Sequence, residues 1–200
     1  MAAPDRVVVA VTGASGIQYA QRLLAVLARQ PLETHVVFSE AALDVWRAEL
    51  DVPLKGDAPD LAAFCGVPGA RFAQYRNAQV GAPIASGSFR HRGMVVCPCT
   101  MATLGAVAHG TGEKLIGRAA EVTLKEKRPL LLVTRETPLS LVALRNMVAA
   151  AEAGATIVDA NPGFYSRPQT VQDLVDFVVA RALDHLGLEH DLGRRWGERT

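Results

Sequence analysis

The sequence predicts an α/β protein with a single Rossmann-like, three-layer domain, in which a parallel sheet carries helices on both faces. Short β-branched runs alternate with helical patterns along the chain, and this order indicates a parallel sheet. The runs are continuously apolar, as in strands that are covered on both faces. The 200 residues suit one domain, since a single core covers this length. We therefore expect one domain over residues 1–200, with a C-terminal tail from about residue 188.

Five strands are expected, each from a short apolar run: Val7–Val11, Thr34–Phe38, Gly93–Cys97, Leu130–Thr134 and Ala155–Val158. Helical patterns follow the first two, from about Ile17 to Ala28 and from about Glu40 to Leu50. Thr170 and Asp173 have the spacing of a capping box and predict the start of the last helix. Residues 51–92 are rich in Gly, Pro and Ala, which favours an irregular segment with one short helix.

Composition excludes several classes of function. The formal net charge is +1, so neither a nucleic acid nor a membrane surface is an expected partner. No apolar run approaches the roughly 20 residues that cross a bilayer. The three cysteines, Cys65, Cys97 and Cys99, are too few and odd in number for a disulfide framework, which favours a reducing, cytoplasmic location. Neither they nor the histidines have a ligand spacing, so we expect no bound metal.

Hydroxyl side chains follow four of the expected strands, at Thr12 and Ser15, Ser39, Thr100 and Thr103, and Thr137. Each alone is best explained as a helix N-cap, and Thr137 before Pro138 is the clearest cap because Pro suits the first helical position. The carboxyl ends of parallel strands meet at one sheet edge, where helix N-termini favour a phosphate. Together the hydroxyls therefore indicate an anion-binding site.

Known nucleotide motifs narrow the ligand. The first loop, TGASG at 12–16, does not match the dinucleotide pattern G-x-G-x-x-G, and no P-loop motif is present. None of the tyrosines has the lysine four residues later that a short-chain dehydrogenase needs. A mononucleotide such as FMN remains compatible with this loop.

A second set of residues is rich in anion-binding side chains. Arg118, Glu121 and Lys125 have helical spacing and share one face, although Glu121 is best explained as a solvated partner of Lys125. Arg135 and Glu136 end a strand. Tyr165 and Arg181 lie in a Pro-Gly loop and on the last helix. Arg181 borders the apolar stripe of its helix, so it either snorkels or faces a partner across a subunit contact.

Five segments carry a resemblance to the UbiX-like flavin prenyltransferases, a family within the wider flavoproteins. They are TGASG at 12–16, APIASGSF at 82–89, MVVCPCTMATL at 94–104, IGRAAEVTLKEKRPLLLVTRETPL at 116–139 and PGFYSRPQTVQDLVDFVVAR at 162–181. FMN-binding cysteine decarboxylases share the wider family, but the P-x-M-N-x-x-M-W segment they require is missing here. In its place stands Pro98-Cys99-Thr100-Met101.

The resemblance implies the ligands and the residues that hold them. Reduced FMN would be bound by Gly13, Ala14, Ser15, Ser39, Thr100, Met101, Ala102, Thr103 and Arg135. Dimethylallyl monophosphate would be bound with its phosphate against Lys125, Tyr165 and Arg181, and with Arg118 and Glu136 nearby. Glu49, Ser88 and Trp196 would line or close the pocket. Family members are homo-oligomers with sites at subunit contacts. The product, prenylated FMN, would serve a UbiD-type decarboxylase.

The implied reaction joins the dimethylallyl group to N5 and C6 of the reduced flavin without a metal. Lys125, Arg181 and Tyr165 would stabilise the leaving phosphate. Glu136 would move a proton to or from this phosphate, and Ser15 would orient the N5 proton. Two alternatives remain open: an FMN-dependent decarboxylase or its accessory subunit, and a flavin carrier without catalytic activity.

Overall fold

The computed structural model describes residues 5–54 and 59–193, which form six strands and seven α-helices. The strands are β1 (Arg6–Val11), β2 (Glu33–Phe38), β3 (Ala73–Arg76), β4 (Gly93–Cys99), β5 (Leu130–Thr134) and β6 (Thr156–Asp159). The helices are α1 (Ile17–Leu27), α2 (Glu40–Glu49), α3 (Leu61–Cys65), α4 (Met101–His109), α5 (Leu115–Lys125), α6 (Leu141–Glu152) and α7 (Val171–His185). A 3₁₀ helix covers Pro83–Ala85. This alternation confirms the α/β class.

The strands form one sheet in the order β3-β2-β1-β4-β5-β6, and all neighbouring pairs are parallel. From β1 the chain builds outward through β2 to β3, and then returns to place β4 on the other side of β1. The boundary between β1 and β4 is therefore a switch point, where the loops that leave the two strands diverge. Such a point opens a crevice at the carboxyl edge of the sheet, where ligands bind in folds of this kind.

Alternate residues of the central strands enter two separate cores. Val7 and Val9 of β1 pack on one side with α1 and α7, which we call the α7 face. Val8 and Ala10 pack on the other side with α4 and α5, which we call the α5 face. All four side chains are fully buried. The sheet thus lies between two helical layers, as the continuously apolar runs predict.

Three helices start at the expected caps, but neither the hydroxyls of TGASG nor Thr137 caps a helix. The hydroxyls of Ser39, Thr100 and Thr170 accept backbone N–H groups at the starts of α2, α4 and α7. The prediction that Thr137 caps a helix is wrong, because its hydroxyl donates to the Glu136 carbonyl within a local turn. The helix begins later, and Ser140 is its N-cap.

The segment 51–92 contains the predicted short helix, α3, but also the unpredicted strand β3. This strand has the sequence AQYR, forms the edge of the sheet and pairs only with β2. Most of its side chains are exposed. An edge strand whose side chains are mostly exposed needs no run of apolar residues. For this reason the sequence pattern did not reveal β3.

The C-terminal tail packs on the domain as far as the structure describes it. Leu188 and Leu192 are both buried in the α7-face core. Trp196, expected to close the substrate pocket, lies outside the described residues. Within ranges 5–54 and 59–193, no helix combines the length and apolarity needed to cross a bilayer.

Candidate active site

Thr12 joins the two loops that flank the switch point. Its buried hydroxyl donates to the Pro98 carbonyl over 2.7 Å and accepts the Thr100 N–H over 2.9 Å. Its own N–H also donates to Pro98, at 3.2 Å. The ends of β1 and β4 are therefore held at a fixed separation. Sequence reasoning named Thr12 among the hydroxyls that follow a strand but could not indicate its partners, which are 86 and 88 positions away.

The TGASG loop lies close to its neighbours and leaves no room for larger residues. A Cβ added to Gly13 would lie 2.5 Å from the Ala41 Cβ, so the close approach of α2 requires glycine there. Gly16 has a φ of 99° at the N-cap of α1 and offers no side chain to cap it. The Glu49 carboxylate does so instead, accepting the N–H groups of Gly16 at 2.9 Å and Ile17 at 3.2 Å. Glu49 thus stabilises the backbone of this loop.

The N-termini of α2 and α4 present hydroxyls and N–H groups at the same edge. The Ser39 hydroxyl accepts a backbone N–H of α2 at 3.1 Å. The Thr100 hydroxyl accepts the Thr103 N–H at 3.1 Å and donates to the Thr103 hydroxyl at 3.0 Å. Ser39 and Thr103 can therefore each donate a hydroxyl hydrogen to a ligand. Met101 and Ala102 lie in the first turn of α4, where backbone N–H groups have no partner within the helix.

Arg135 links the end of β5 to the TGASG loop. Its Nε donates to the Ser15 carbonyl at 3.1 Å, and the Ser15 side chain is exposed. Glu136 is exposed as well, and its carboxylate accepts the Thr137 N–H at 3.1 Å. We call residues 12–16, Ser39, 100–103 and Arg135 the cradle. All the residues expected to bind FMN lie in it.

The groups beneath the cradle are protonated at neutral pH. Burial raises the pKa of the Cys97 thiol far above its usual range and that of Cys99 to about 12. Neither thiol is therefore available as a nucleophile. Burial, assisted by Cys97 and Asp159 and opposed by Arg135, raises the pKa of the Tyr19 phenol. Tyr19 lies close to Gly16, and sequence reasoning did not select it.

Ser88 and Lys125 form a second group, which we call the amino-edge cluster. Ser88 comes five residues before β4 and Lys125 five residues before β5, so both lie where the strands begin. The Ser88 hydroxyl is 2.9 Å from that of Ser86. A Cβ added to Gly87 would lie 3.4 Å from the Lys125 Nζ. The structure therefore places Lys125, expected to bind the prenyl phosphate, near the loop of Ser88, expected to line the pocket.

Arg128 holds the backbone of this cluster. Its guanidinium donates to the carbonyls of Gly87 and Phe89, each at 2.7 Å. Its side chain is only 16% exposed, so the contact is a fixed one. In the sequence, Arg128 stands in the charged run KEKRP at 125–129. Nothing in that run indicates which carbonyls the arginine binds.

Tyr165 and Arg181 line a third region, a cavity of about 720 Å³ beside α7. The Tyr165 ring meets Phe177 edge-on, with centroids 5.7 Å apart. The Arg181 guanidinium donates to Asp184 at 3.1 Å and is largely exposed. The structure thus places the tyrosine and the arginine together, as expected, but on the α7 face.

One chain does not bring these three regions together. Lys125 ends α5 at the amino edge, whereas Glu136 follows β5 at the carboxyl edge. The five residues of β5 alone separate the edges by roughly 16 Å, at about 3.3 Å per residue. The sheet itself separates α5 from α7, and hence Lys125 from Arg181. Arg118 is exposed in the first turn of α5, nearer the carboxyl edge.

Comparison with known proteins shows the family to which this chain belongs. Residues 1–183 match the flavoprotein family. The flavin prenyltransferase UbiX of Pseudomonas aeruginosa is 47% identical over 99% of this chain and 97% of its own length. A crystal structure of AnUbiX (PadA1) in complex with FMN and dimethylallyl pyrophosphate superposes with a TM-score of 0.89 at 39% identity, and covers 99% of this chain and 100% of that one.

A second solved structure comes from Escherichia coli O157:H7 and is described as a dodecameric, FMN-dependent, UbiX-like decarboxylase. Its TM-score is 0.86 at 43% identity, over 96% of this chain and all of that one. Identity at this level over almost the whole length excludes a resemblance of fold alone. The chain belongs to the flavoprotein family and, within it, to the UbiX-type flavin prenyltransferases.

Proposed function

We propose that this enzyme transfers a dimethylallyl group from dimethylallyl monophosphate to N5 and C6 of reduced FMN and releases prenylated FMN and phosphate. The observation that carries the proposal is the cradle at the β1–β4 switch point, where Thr12 fixes two loops that end in helix N-termini. Support also comes from AnUbiX (PadA1), whose structure contains FMN with dimethylallyl pyrophosphate.

The cradle suits reduced FMN as a bound substrate. The first turn of α4 and the hydroxyls of Ser39 and Thr103 offer donors to the FMN phosphate, and the helix dipole favours its charge. Gly13 and Ala14 keep the loop small beside the flavin, and Ala41 of α2 occupies the space of a Gly13 side chain. Arg135 and Ser15 lie side by side at the opening, where Ser15 would orient the N5 proton.

Departure of the phosphate needs positive charge where negative charge accumulates. Lys125 and Arg181 would supply that charge, Tyr165 a hydrogen bond, and Arg118 a further contact. As the C1–oxygen bond breaks, the phosphate leaves with the electron pair, N5 bonds to C1, and the second new bond forms at C6. N5 and C6 each lose a proton: one goes to the departing phosphate, and the other to C2 of the prenyl group, whose C3 then bonds to C6. Glu136 is the carboxylate we propose for this transfer.

Because one chain keeps these residues in three places, we propose that each active site is completed by neighbouring copies. The UbiX-like protein from Escherichia coli O157:H7 is dodecameric, which supports an assembly of this kind. Glu49, Ser88 and Trp196 remain proposed pocket residues. We further propose a cytoplasmic location, in keeping with three free, buried thiols, and a UbiD-type decarboxylase as recipient of the product.

Anaerobic incubation of the purified protein with photoreduced FMN and dimethylallyl monophosphate tests this function. We expect a flavin heavier by one five-carbon isoprene unit and an equal amount of phosphate. A parallel reaction with the diphosphate reports the preference for the leaving group. Unaltered flavin that stays bound would support a flavin carrier. Carbon dioxide from added carboxylic acids, with no change in the flavin, would support a decarboxylase.

A further inference from the structure

Three aspartates line the cavity beside α7 in which Arg181 lies, namely Asp173, Asp176 and Asp184. A free carboxylate would repel a phosphate bound there. Asp173 accepts backbone N–H groups in the capping box of α7, and Asp176 accepts two bonds from Arg22, at 2.7 and 2.9 Å. Asp184 differs from both, because it contacts Arg181 itself.

Asp184 joins Arg181 to a buried histidine. Its Oδ2 atom accepts the Arg181 Nη1–H at 3.1 Å, and its Oδ1 atom lies 3.2 Å from the His190 Nε2. The Arg181 side chain is 54% exposed, whereas that of His190 is only 3% exposed. An exposed Arg–Asp pair three residues apart on a helix contributes little by itself. Here the aspartate is also held from the interior, so the pair can orient the guanidinium.

The segment after α7 determines which way the hydrogen bond of His190 points. The Nδ1 atom of His190 accepts the Leu192 N–H at 3.2 Å. A ring nitrogen that accepts a hydrogen bond carries no hydrogen, so the hydrogen lies on Nε2, which donates to Asp184. This segment is itself fixed, because Leu188 and Leu192 are buried and Arg92 donates to two carbonyls in the turn after α7, at 3.3 and 3.2 Å.

We propose that Asp184 and His190 are positioning residues, which hold the Arg181 guanidinium in the orientation in which it binds the prenyl phosphate. The guanidinium has more N–H donors than the bond to Asp184 uses, so others remain for the anion. The aspartate weakens the attraction between the cavity and the phosphate. A guanidinium that is already oriented offsets this, since it loses less conformational freedom on binding. The proposal rests on the proposed function for the identity of the anion.

Asp184→Asn separates positioning from charge. If the carboxylate acted only through its charge, its removal would strengthen binding of the prenyl donor. We expect the opposite, because the amide can still accept from His190 but then turns its own N–H groups toward Arg181. The kcat/KM for dimethylallyl monophosphate should fall by about 10- to 100-fold, an effect within the range of lost positioning, while FMN affinity stays parental. A kcat/KM at or above the parental value would overturn the proposal.

The matched control is Asp44→Asn, which removes another exposed Arg–Asp pair three residues apart, the 2.8 Å contact with Arg47 on α2. Its kcat/KM for the donor should be parental. His190→Leu should lower kcat/KM, and His190→Gln, which retains an N–H donor, should restore most of the loss. Because His190 is buried, a leucine variant that fails to fold would leave the decision to Asp184→Asn.

A double-mutant cycle distinguishes positioning from a general loss of structure. If both residues act through Arg181, Asp184→Asn and His190→Leu should cause little further loss of kcat/KM in an Arg181→Ala background. Additive losses in this background would contradict the proposal.

Calorimetric titration with dimethylallyl monophosphate in the presence of oxidised FMN measures donor binding without turnover. We expect weaker binding by Asp184→Asn than by the parent. Absence of prenyl transfer in the parent would contradict the proposed function, and the titration would then decide the positioning role by itself. Equal binding by the two proteins, or none by either, would exclude that role.

Discussion

At the scale of single residues, Thr12 shows how a small side chain positions a large ligand. Its hydroxyl is buried, and it donates to one backbone group and accepts from another. Both partners belong to the loop after β4. Removal of the hydroxyl therefore takes away the partner of the Thr100 N–H and leaves the Pro98 carbonyl with the Thr12 N–H alone, at the crevice in which we place FMN.

We expect Thr12→Val, which keeps the shape of the side chain, to lower the free energy of unfolding by about 1–3 kcal/mol, the usual cost of unsatisfied buried groups. FMN should also bind less tightly, because the loops lose their fixed separation. Urea unfolding and fluorescence titration with FMN measure the two effects. Thr12→Ser retains the hydroxyl and is the control. Equal losses in both variants would indicate that packing, not hydrogen bonding, is the role of Thr12.

Glu136 is an exposed residue among the proposed catalytic groups. Its carboxylate accepts the N–H of the next residue, Thr137. The neighbouring Arg135 donates to the Ser15 carbonyl. Glu136→Gln keeps an oxygen acceptor but cannot transfer a proton. We expect the single-turnover rate at saturating FMN to fall by about 10²- to 10⁴-fold, with little change in FMN affinity. A rate within a few-fold of the parent, with weaker FMN binding, would assign Glu136 a binding role.

At the scale of elements, α1 depends on α2 for its N-terminal cap. Gly16 provides the left-handed backbone at this position but no side chain, and Glu49 accepts two N–H groups from the end of α2. A carboxylate there also suits the positive end of the α1 dipole. The two helices therefore fix the TGASG loop together.

We expect Glu49→Ala to lower the free energy of unfolding by about 0.5–2 kcal/mol, the range for loss of an N-cap. Glu49→Gln should cost less, because its amide oxygen can accept the same bonds. Hydrogen exchange of the Gly16 and Ile17 amides reports the cap directly. Parental protection of these amides in the alanine variant would show that Glu49 serves the substrate pocket alone.

The elements that the sequence revealed are those with burial on two sides. β1 and β5 have apolar runs because both faces are covered, and their bounds were predicted to within one residue. The edge strand β3 has no such run and was missed. At Thr137, local bonding of the hydroxyl displaced the expected cap to Ser140. Local sequence patterns therefore predict which segments form buried strands and helices. They do not predict which partners the polar side chains bind.

The same limit applies to the site. The cradle could be predicted because hydroxyl-rich loops after parallel strands must meet at one edge. The contacts made by Glu49 and Arg128 join positions 33 and 39 residues apart, so no spacing rule indicates them. The division of the phosphate-binding residues between two faces and two edges became visible only in three dimensions.

At the scale of the whole molecule, two buried histidines at the amino edge make stability depend on pH. His35 is bonded to the Tyr75 hydroxyl at 2.9 Å, and His91 contacts the Gly93 carbonyl at 3.1 Å. Burial lowers the pKa of both histidines. Glu33, 3.7 Å from His35, raises the pKa of His35, but by less than burial lowers it. Arg6 and Arg128 lower the two values further.

Because the native pKa values lie below the unfolded value of about 6.5, the unfolded chain binds more protons in mildly acidic solution. Stability should therefore be full above about pH 6.5 and fall as the pH decreases, by up to about 1.4 kcal/mol per pH unit for each histidine. Urea unfolding at several pH values measures this slope. We expect a shallower slope for His35→Gln and for His91→Gln, and a parental slope for the exposed control His185→Gln. Parental slopes in both buried variants would contradict this origin.

The distance between the two edges of the sheet has a genetic consequence. If Lys125 serves a neighbour's flavin, a chain with Lys125→Ala can still lend its own Glu136, and a chain with Glu136→Gln can still lend its lysine. Two inactive proteins should then rescue each other on co-expression, with about a quarter of the sites intact in a random mixture of subunits joined head to tail. Turnover of the mixture against each parent variant measures this, and its absence would mean that each chain works alone. Loss-of-function alleles of this gene would thus fall into two groups that complement each other.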